Sequence, residues 1–366
     1  MINKEILAEM GYYLNRLSEL DEFIKKGIGD VYPGAVIALG CSKGVGYIKA
    51  YGYSVIVEEK KPMKENTIFD LASLTKPIAT ATSIMILIER GLLALDDKVQ
   101  DYLPSFKGPF KDKVTIRHLL THTAGFPPHE PFYYRCSSVE EIIDEICTGV
   151  FLTYEPGTRV VYSDIGFILL GYIVEELAGQ RLSEFTEANI FAPLGMKDTM
   201  FNPPRELRDR VAATEICKWR KKLIWGEVHD ENSYAMGGVA GHAGLFSTAL
   251  DLSIFAQMML NKGTLNEVRV LSKRSVEEMT KCHTEGLSAR RGLGWQLKDK
   301  GASCGDLFSD LAYGHTGFTG TSLWIDPELD LFVVFLTNRV HPSRENKKIV
   351  RFRPKLHNLI VGLKRF

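Results

Sequence analysis

The chain has 366 residues, 45% of them hydrophobic and 25% charged, which is enough to bury a large core and excludes a disordered chain. Lysine plus arginine and aspartate plus glutamate number 45 each, so the overall charge gives no footing for nucleic acid. Six cysteines with no C-x-x-C pair disfavour a redox motif or a structural zinc site, and they read as free thiols in a reducing compartment.

The first ten residues carry charges and never form the apolar core of a signal peptide, and no run is apolar enough to span a bilayer. The expectation is a cytoplasmic protein without a membrane span. Residues 3 to 27 place Ile6, Leu7, Met10, Leu14, Leu17, Leu20, Phe23 and Ile24 at helical spacing, predicting one amphipathic opening helix that Gly27 and Gly29 end. Two strands follow, Gly34 to Gly40 and Val45 to Val55, around a Cys41-Ser-Lys-Gly44 turn.

Next comes Asp70-Leu-Ala-Ser-Leu-Thr-Lys-Pro77. Ser73 and Lys76 stand three apart, so on a helix their Cβ atoms are roughly 5–6 Å from each other and the amine reaches the hydroxyl. Pro77 cannot donate to the Ser73 carbonyl, which places Ser73 at a helix start, beside free N–H groups. Ile78 to Glu89 is apolar on nearly every side and predicts a buried central helix, closed by Gly91.

From Asp96 to Ala235 the pattern gives helices and long loops. Ser138-x-x-Glu141 caps a helix through Cys147, and Asp164 opens an apolar helix ending at Gly179. Gly237, Gly238, Gly241 and Gly244 predict a flexible loop, which lacks the G-K-[ST] ending of a phosphate cradle. Thr248 then caps a helix to about Asn261. A hairpin follows from Gly320 to Asp326 and Leu331 to Thr337, its second strand buried. The basic and apolar residues of the last segment, Arg344 to Phe366, predict a helix packed on the sheet with a solvated face. The fold class expected is α/β (α+β): an antiparallel sheet from both chain ends, flanked by helices. Residues 1–95 and 245–366 would form that part, with 96–244 an inserted, mainly helical region.

Three motifs stand in order: Ser73-x-x-Lys76, Tyr162-Ser-Asp164 and His315-Thr-Gly317. Their order and spacing resemble the S-x-x-K, Y-x-N and K-T-G elements of the serine β-lactamase and penicillin-binding protein superfamily. His118-Leu-Leu-Thr-His-Thr-Ala-Gly125, Glu155-Pro-Gly157 and Gly244-Leu-Phe-Ser-Thr248 are similar to segments of its class C branch. That resemblance implies a β-lactamase/transpeptidase-like fold and a serine hydrolase in which Ser73 forms an acyl-enzyme, with Lys76 or Tyr162 as the base. It also implies an oxyanion hole from the Ser73 and Phe318 N–H groups, with Asp164, His315, Thr316 and Gly317 facing the substrate.

Two positions depart from the pattern. Asp164 replaces an amide and brings negative charge toward Lys76, and His315 replaces a permanent cation with a group titrating near pH ~6.5. These departures favour an esterase, amidase or peptidase over a β-lactamase or D-alanyl-D-alanine carboxypeptidase. A binding sensor that acylates without turnover is the alternative of another class. Val228-His-Asp230 with Gly237 to Gly244 looks like members linked to muropeptide recycling, which makes His229 and His242 substrate-facing candidates. His229, Asp230 and His242 are ligand-type residues, but their spacing fits no zinc pattern, so no metal and no cofactor are expected. His118 and His122 read as packing or supporting residues. The partner expected is a small ester, amide or peptide; the sequence does not determine the oligomeric state.

Overall fold

The computed structural model describes residues 1–57 and 59–365. Its centre is a seven-stranded antiparallel sheet ordered Gln296–Leu297, Tyr313–Thr316, Ser322–Asp326, Leu331–Thr337, Gly34–Cys41, Gly44–Val55, Lys61–Pro62. Both chain ends therefore build one sheet, with Leu331–Thr337 beside Gly34–Cys41 at its middle. The unbroken apolar run of Leu331–Thr337 follows from burial on both faces. Phe332, Val334 and Leu336 join the core of the central helices, while Val333 and Phe335 join a second core with the terminal helices.

The opening segment is two helices, Lys4–Glu9 and Leu17–Lys25, rather than one. They separate at Gly11, whose carbonyl accepts from the Arg365 N–H at 2.6 Å while Tyr12 bridges to Lys364. Pairing with the far end of the chain overrides the helical periodicity there. The C-terminal helix Ile349–Gly362 packs against Leu17–Lys25 through Phe23 and Phe352, with ring centres 4.8 Å apart.

A smaller sheet fixes the segment that leads into Ser73. Phe69–Asp70 pairs with Leu245–Ser247, which also pairs with Met200–Phe201. The glycine loop before it is tightly packed and not flexible: a Cβ on Gly241 would lie 2.0 Å from the Phe167 carbonyl, so only glycine lets this loop pass against helix Asp164–Ala178. The chain then enters helix Ala249–Leu260, with the Thr248 hydroxyl accepting from the Asp251 N–H.

Candidate active site

Asp70 is buried and organises the turn that carries Ser73. Its Oδ1 accepts from the Ala72 N–H at 2.8 Å and its Oδ2 from the His229 N–H at 2.6 Å. Ala72 adopts φ +47°, an uncommon conformation for a residue with a Cβ, and this bond helps to hold it. Ser73 follows in the tight turn Ala72–Leu74, and the chain widens into π-type turns over Lys76–Ala81 before the regular helix Thr82–Glu89. Pro77, which has no N–H, stands where the tight turn gives way to the wide one.

Lys76 is fully buried, and its Nζ donates to Ser73 Oγ at 3.0 Å, Asp164 Oδ1 at 2.7 Å and the His242 carbonyl at 3.1 Å. Burial, the largest single effect, pulls its ammonium down, but Asp164 and Tyr162 together outweigh it and leave Lys76 above the ordinary lysine value. Burial is likewise the largest single effect on the Asp164 carboxylate and opposes it, but Lys76, His129 and His242 together hold Asp164 well below the usual carboxylate range. The carboxylate in the second motif is thus the counter-ion of the lysine in the first.

Helix Asp164–Ala178 places the second motif. The Ser163 hydroxyl caps it by accepting from the Ile165 N–H at 3.2 Å and donates to the Pro127 carbonyl at 2.6 Å. His122 Nδ1 accepts from the Ser163 N–H at 3.2 Å, and its ring lies 4.5 Å from that of Tyr162. Tyr162 stands between two cations: Lys76 Nζ is 4.9 Å and the Arg291 guanidinium 5.5 Å from its ring centre.

The third motif begins on strand Tyr313–Thr316, with Gly317 just past its end and before the strand Ser322–Asp326. The edge strand Gln296–Leu297 pairs only with Gly314 and Tyr313, leaving His315 and Thr316 uncovered on that edge. Past the strand, the Thr319 and Thr321 hydroxyls donate to the Asp70 and Leu71 carbonyls at 2.7 and 2.9 Å. Gly317 fits because a Cβ would sit 2.2 Å from the Leu71 carbonyl and 2.1 Å from Thr321 Oγ1. This brings the Phe318 turn against the Ser73 turn. Among the described residues, neither the Ser73 nor the Phe318 N–H has an acceptor within the chain. Arg339 donates to the Phe318 carbonyl from Nε at 2.8 Å and Nη2 at 2.5 Å.

These elements enclose a cavity of about 720 Å³ lined by Ser73, Tyr162, Asp164, His315, Thr316 and Phe318, with His229 on its wall and Gly317 beside it. His229 Nε2 is 2.9 Å from Glu215 Oε2, and its ring stacks on Phe318 at 5.7 Å. Two sequence expectations change. His315 is not a titrating cation near neutrality: burial, then the Arg291 charge, pull it down to about 3, and its Nδ1–H donates to the Thr316 carbonyl at 2.9 Å. His242 does not line the cavity. It sits behind Lys76, with Nε2 2.8 Å from Asp230 Oδ1, and holds that carboxyl down to about 2 against the opposing effect of burial.

Several lining residues carry no motif of their own, Arg291 and His129 among them. Arg291 is the cation facing His315, and its position depends on strand pairing far along the chain, so no local motif marks it. His129 Nδ1 stands 3.7 Å from Asp164 Oδ2, which raises the imidazole above its ordinary value. His118 faces away and contacts Thr115. Among the described residues no cluster of His, Cys, Asp and Glu could hold a metal ion, and no helix is long and apolar enough to cross a membrane.

The family model described as "Beta-lactamase" matches residues 20–354. A Salmonella schwarzengrund protein named "Putative D-alanyl-D-alanine carboxypeptidase" is 34% identical, the match covering 93% of this chain and 87% of that protein. The octameric penicillin-binding protein homologue from Pyrococcus abyssi is 26% identical with a TM-score of 0.75, over 94% of this chain and 77% of its own. EstCE1, a hydrolase with promiscuous acyltransferase activity, shares the fold with a TM-score of 0.76 at 24% identity, over 94% and 98%. A class C beta lactamase from Rhodobacter sphaeroides does so at 0.72 and 23%, over 93% and 99%. With the S-x-x-K serine and lysine in contact at the mouth of a buried helix, the chain belongs to the Beta-lactamase family and is a serine acyl hydrolase.

Proposed function

We propose that the protein hydrolyses an ester or amide bearing a carboxylate close to the scissile bond, through an acyl-enzyme on Ser73. A D-amino-acid peptide such as a muropeptide fragment is the first substrate class to assay. The observation that carries the mechanism is the Lys76–Asp164 pair at 2.7 Å. A lysine held as ammonium has no lone pair to accept the serine proton, so its part is to orient Ser73 Oγ and stabilise negative charge. Tyr162, acting as phenolate, takes the proton from Ser73 Oγ as it attacks the carbonyl carbon and returns it to the leaving group. Water then repeats the sequence to release the acid. The Ser73 and Phe318 N–H groups receive the oxyanion.

The substrate carboxylate is proposed from Arg291. This half-buried arginine, whose buried Nε has no hydrogen-bond partner, has no carboxylate within 4.0 Å among the described residues, lines the cavity and lies near His315. The relative named a D-alanyl-D-alanine carboxypeptidase makes a terminal D-alanine carboxylate the natural probe.

The test is a panel of 4-nitrophenyl esters, D-alanyl peptides, muropeptides and a chromogenic cephalosporin, run on wild type and Ser73→Ala with mass spectrometry of the protein. Turnover lost at least 1000-fold in Ser73→Ala, with an acyl adduct on wild type, supports the reading. Equal turnover by both proteins overturns it, and an adduct that never releases product points instead to a sensor.

A further inference from the structure

One wall of the cavity is built of cations that the acyl-transfer arrangement leaves unused. After strand Leu331–Thr337 come Arg339, Arg344 and Lys347, then helix Ile349–Gly362, which carries Arg353. A helix start ordinarily attracts acidic residues, because its free N–H groups carry partial positive charge. This one has no acidic residue in its first turn and no side-chain cap. Ile349, Val350, Lys347, Arg339 and Arg353 all face the cavity that contains Ser73.

Arg353 is only 5% exposed, and Nη2 donates to the Thr321 carbonyl at 2.8 Å while its buried Nε has no partner. Arg339, 7% exposed, gives its N–H groups to the carbonyls of Phe318, Arg344 and Asn346. Neither has a carboxylate within 4.0 Å among the described residues, whereas Arg344 between them is paired with both Glu215 and Glu231 at 2.5 Å. The nearest counter-charge acting on Arg339 is Glu215, already shared with Arg344 and His229. Two neighbouring buried cations without an anion are costly, since leaving a buried charge unpaired costs several kcal/mol. The cost shows in Arg353, which burial and then the Arg339 charge pull down to about 9.

We propose that Arg353 and Arg339, with Lys347 and the first turn of helix Ile349–Gly362, form an anion subsite that takes a carboxylate or phosphate carried by the substrate away from its scissile bond. The guanidinium fork of Arg353 suits two oxygens of one such group. As a substrate subsite it rests on the hydrolase reading above; as an anion site it stands by itself.

The test has a binding arm and a kinetic arm. Inorganic phosphate is titrated into Ser73→Ala and followed by tryptophan fluorescence and Tm. Saturable binding, weakened at least tenfold by adding Arg353→Gln and about threefold by adding Lys347→Ala, supports the site. In the kinetic arm, 4-nitrophenyl butyrate and mono-4-nitrophenyl glutarate differ by one carboxylate. Their ratio of kcat/KM is expected to fall at least tenfold in Arg353→Gln and less in Arg353→Lys, which keeps the charge but loses the fork. Circular dichroism establishes that the variants fold; if Arg353→Gln does not, Arg353→Lys and Lys347→Ala decide. Phosphate binding without a glutarate preference assigns the anion to a phosphate. No saturable binding in the parent, or unchanged affinity and ratio in folded variants, overturns the proposal. Phosphate binding with no ester turnover by wild type leaves the subsite standing and removes the hydrolase reading.

Discussion

At the scale of single residues, charge at the site is decided by contacts across the chain. Lys76 and Asp164 are 88 positions apart in sequence and 2.7 Å apart in space. Asp164→Asn removes the counter-ion and leaves a buried ammonium. Breaking a fully buried pair costs about 3–5 kcal/mol, and because Asp164 keeps 20% exposure we expect a loss of about 2–3 kcal/mol in denaturant unfolding at pH 7. The sign of the pH dependence follows. Asp164 is depressed, so its contribution is present at neutral pH and lost as pH falls below the usual carboxylate range; Lys76 is raised, so its contribution is lost only above pH ~10.5. The asparagine variant should therefore show a flatter acid limb in a stability profile. Arg291→Gln removes a charged hydrogen-bond donor, of order 1.5–3 kcal/mol, and should lower kcat/KM for carboxylate-bearing substrates by roughly ten- to a hundredfold, mainly through KM. His315 is neutral above about pH 3, so His315→Gln should leave the pH profile between 5 and 8 without a displaced limb. Steady-state kinetics on one acidic and one neutral ester checks both.

At the scale of elements, the candidate site is the meeting of three local structures: the Ser73 turn, the N-terminus of helix Asp164–Ala178, and the end of strand Tyr313–Thr316. Ser73 at a helix start and the helix opened by Asp164 were legible separately; the strand Tyr313–Thr316 was not. The helix opened by Asp164, the apolar central helix and the Leu331–Thr337 strand all follow from nearest-neighbour patterns. The opening helix failed as a single element because its periodicity carries no record of the Arg365–Gly11 bond that divides it. The joint between the first and third elements is Gly317. Gly317→Ala should push the Phe318 turn from the Leu71 carbonyl, costing about 1–3 kcal/mol by overpacking and lowering kcat more than it raises KM. Equal kinetics for variant and wild type would show that the turn does not need this approach.

At the scale of the whole molecule, folding buries histidines in neutral form. His315 is pulled down to about 3, His357 to about 4 and His122 well below its ordinary value, in each case chiefly by burial. In the unfolded chain all three titrate near pH ~6.5. Between about pH 6.5 and 4 the unfolded state therefore binds more protons, and stability should fall as pH falls through that window. The raised carboxyls of Asp70, Asp251 and Glu175 act with the opposite sign, above the ordinary carboxylate range. A denaturation midpoint measured from pH 7 to 4 should drop, and His357→Gln, remote from Ser73, should reduce the drop. A midpoint that stays level in wild type would contradict this.

What the sequence determined by itself was chemistry set by spacing along the chain: a serine and an amine three residues apart before a proline, the helix opened by Asp164, the order of three motifs, and a sheet fed from both ends. Such features need only the period of a helix or strand. What tertiary structure decided was charge and orientation: Lys76 held as ammonium by Asp164, His315 neutral, His242 turned to Asp230 behind the site, and the cavity's cations supplied by Arg291, Arg339 and Arg353. Protonation and facing depend on burial and on partners distant in sequence, and both are set only when the strands pair.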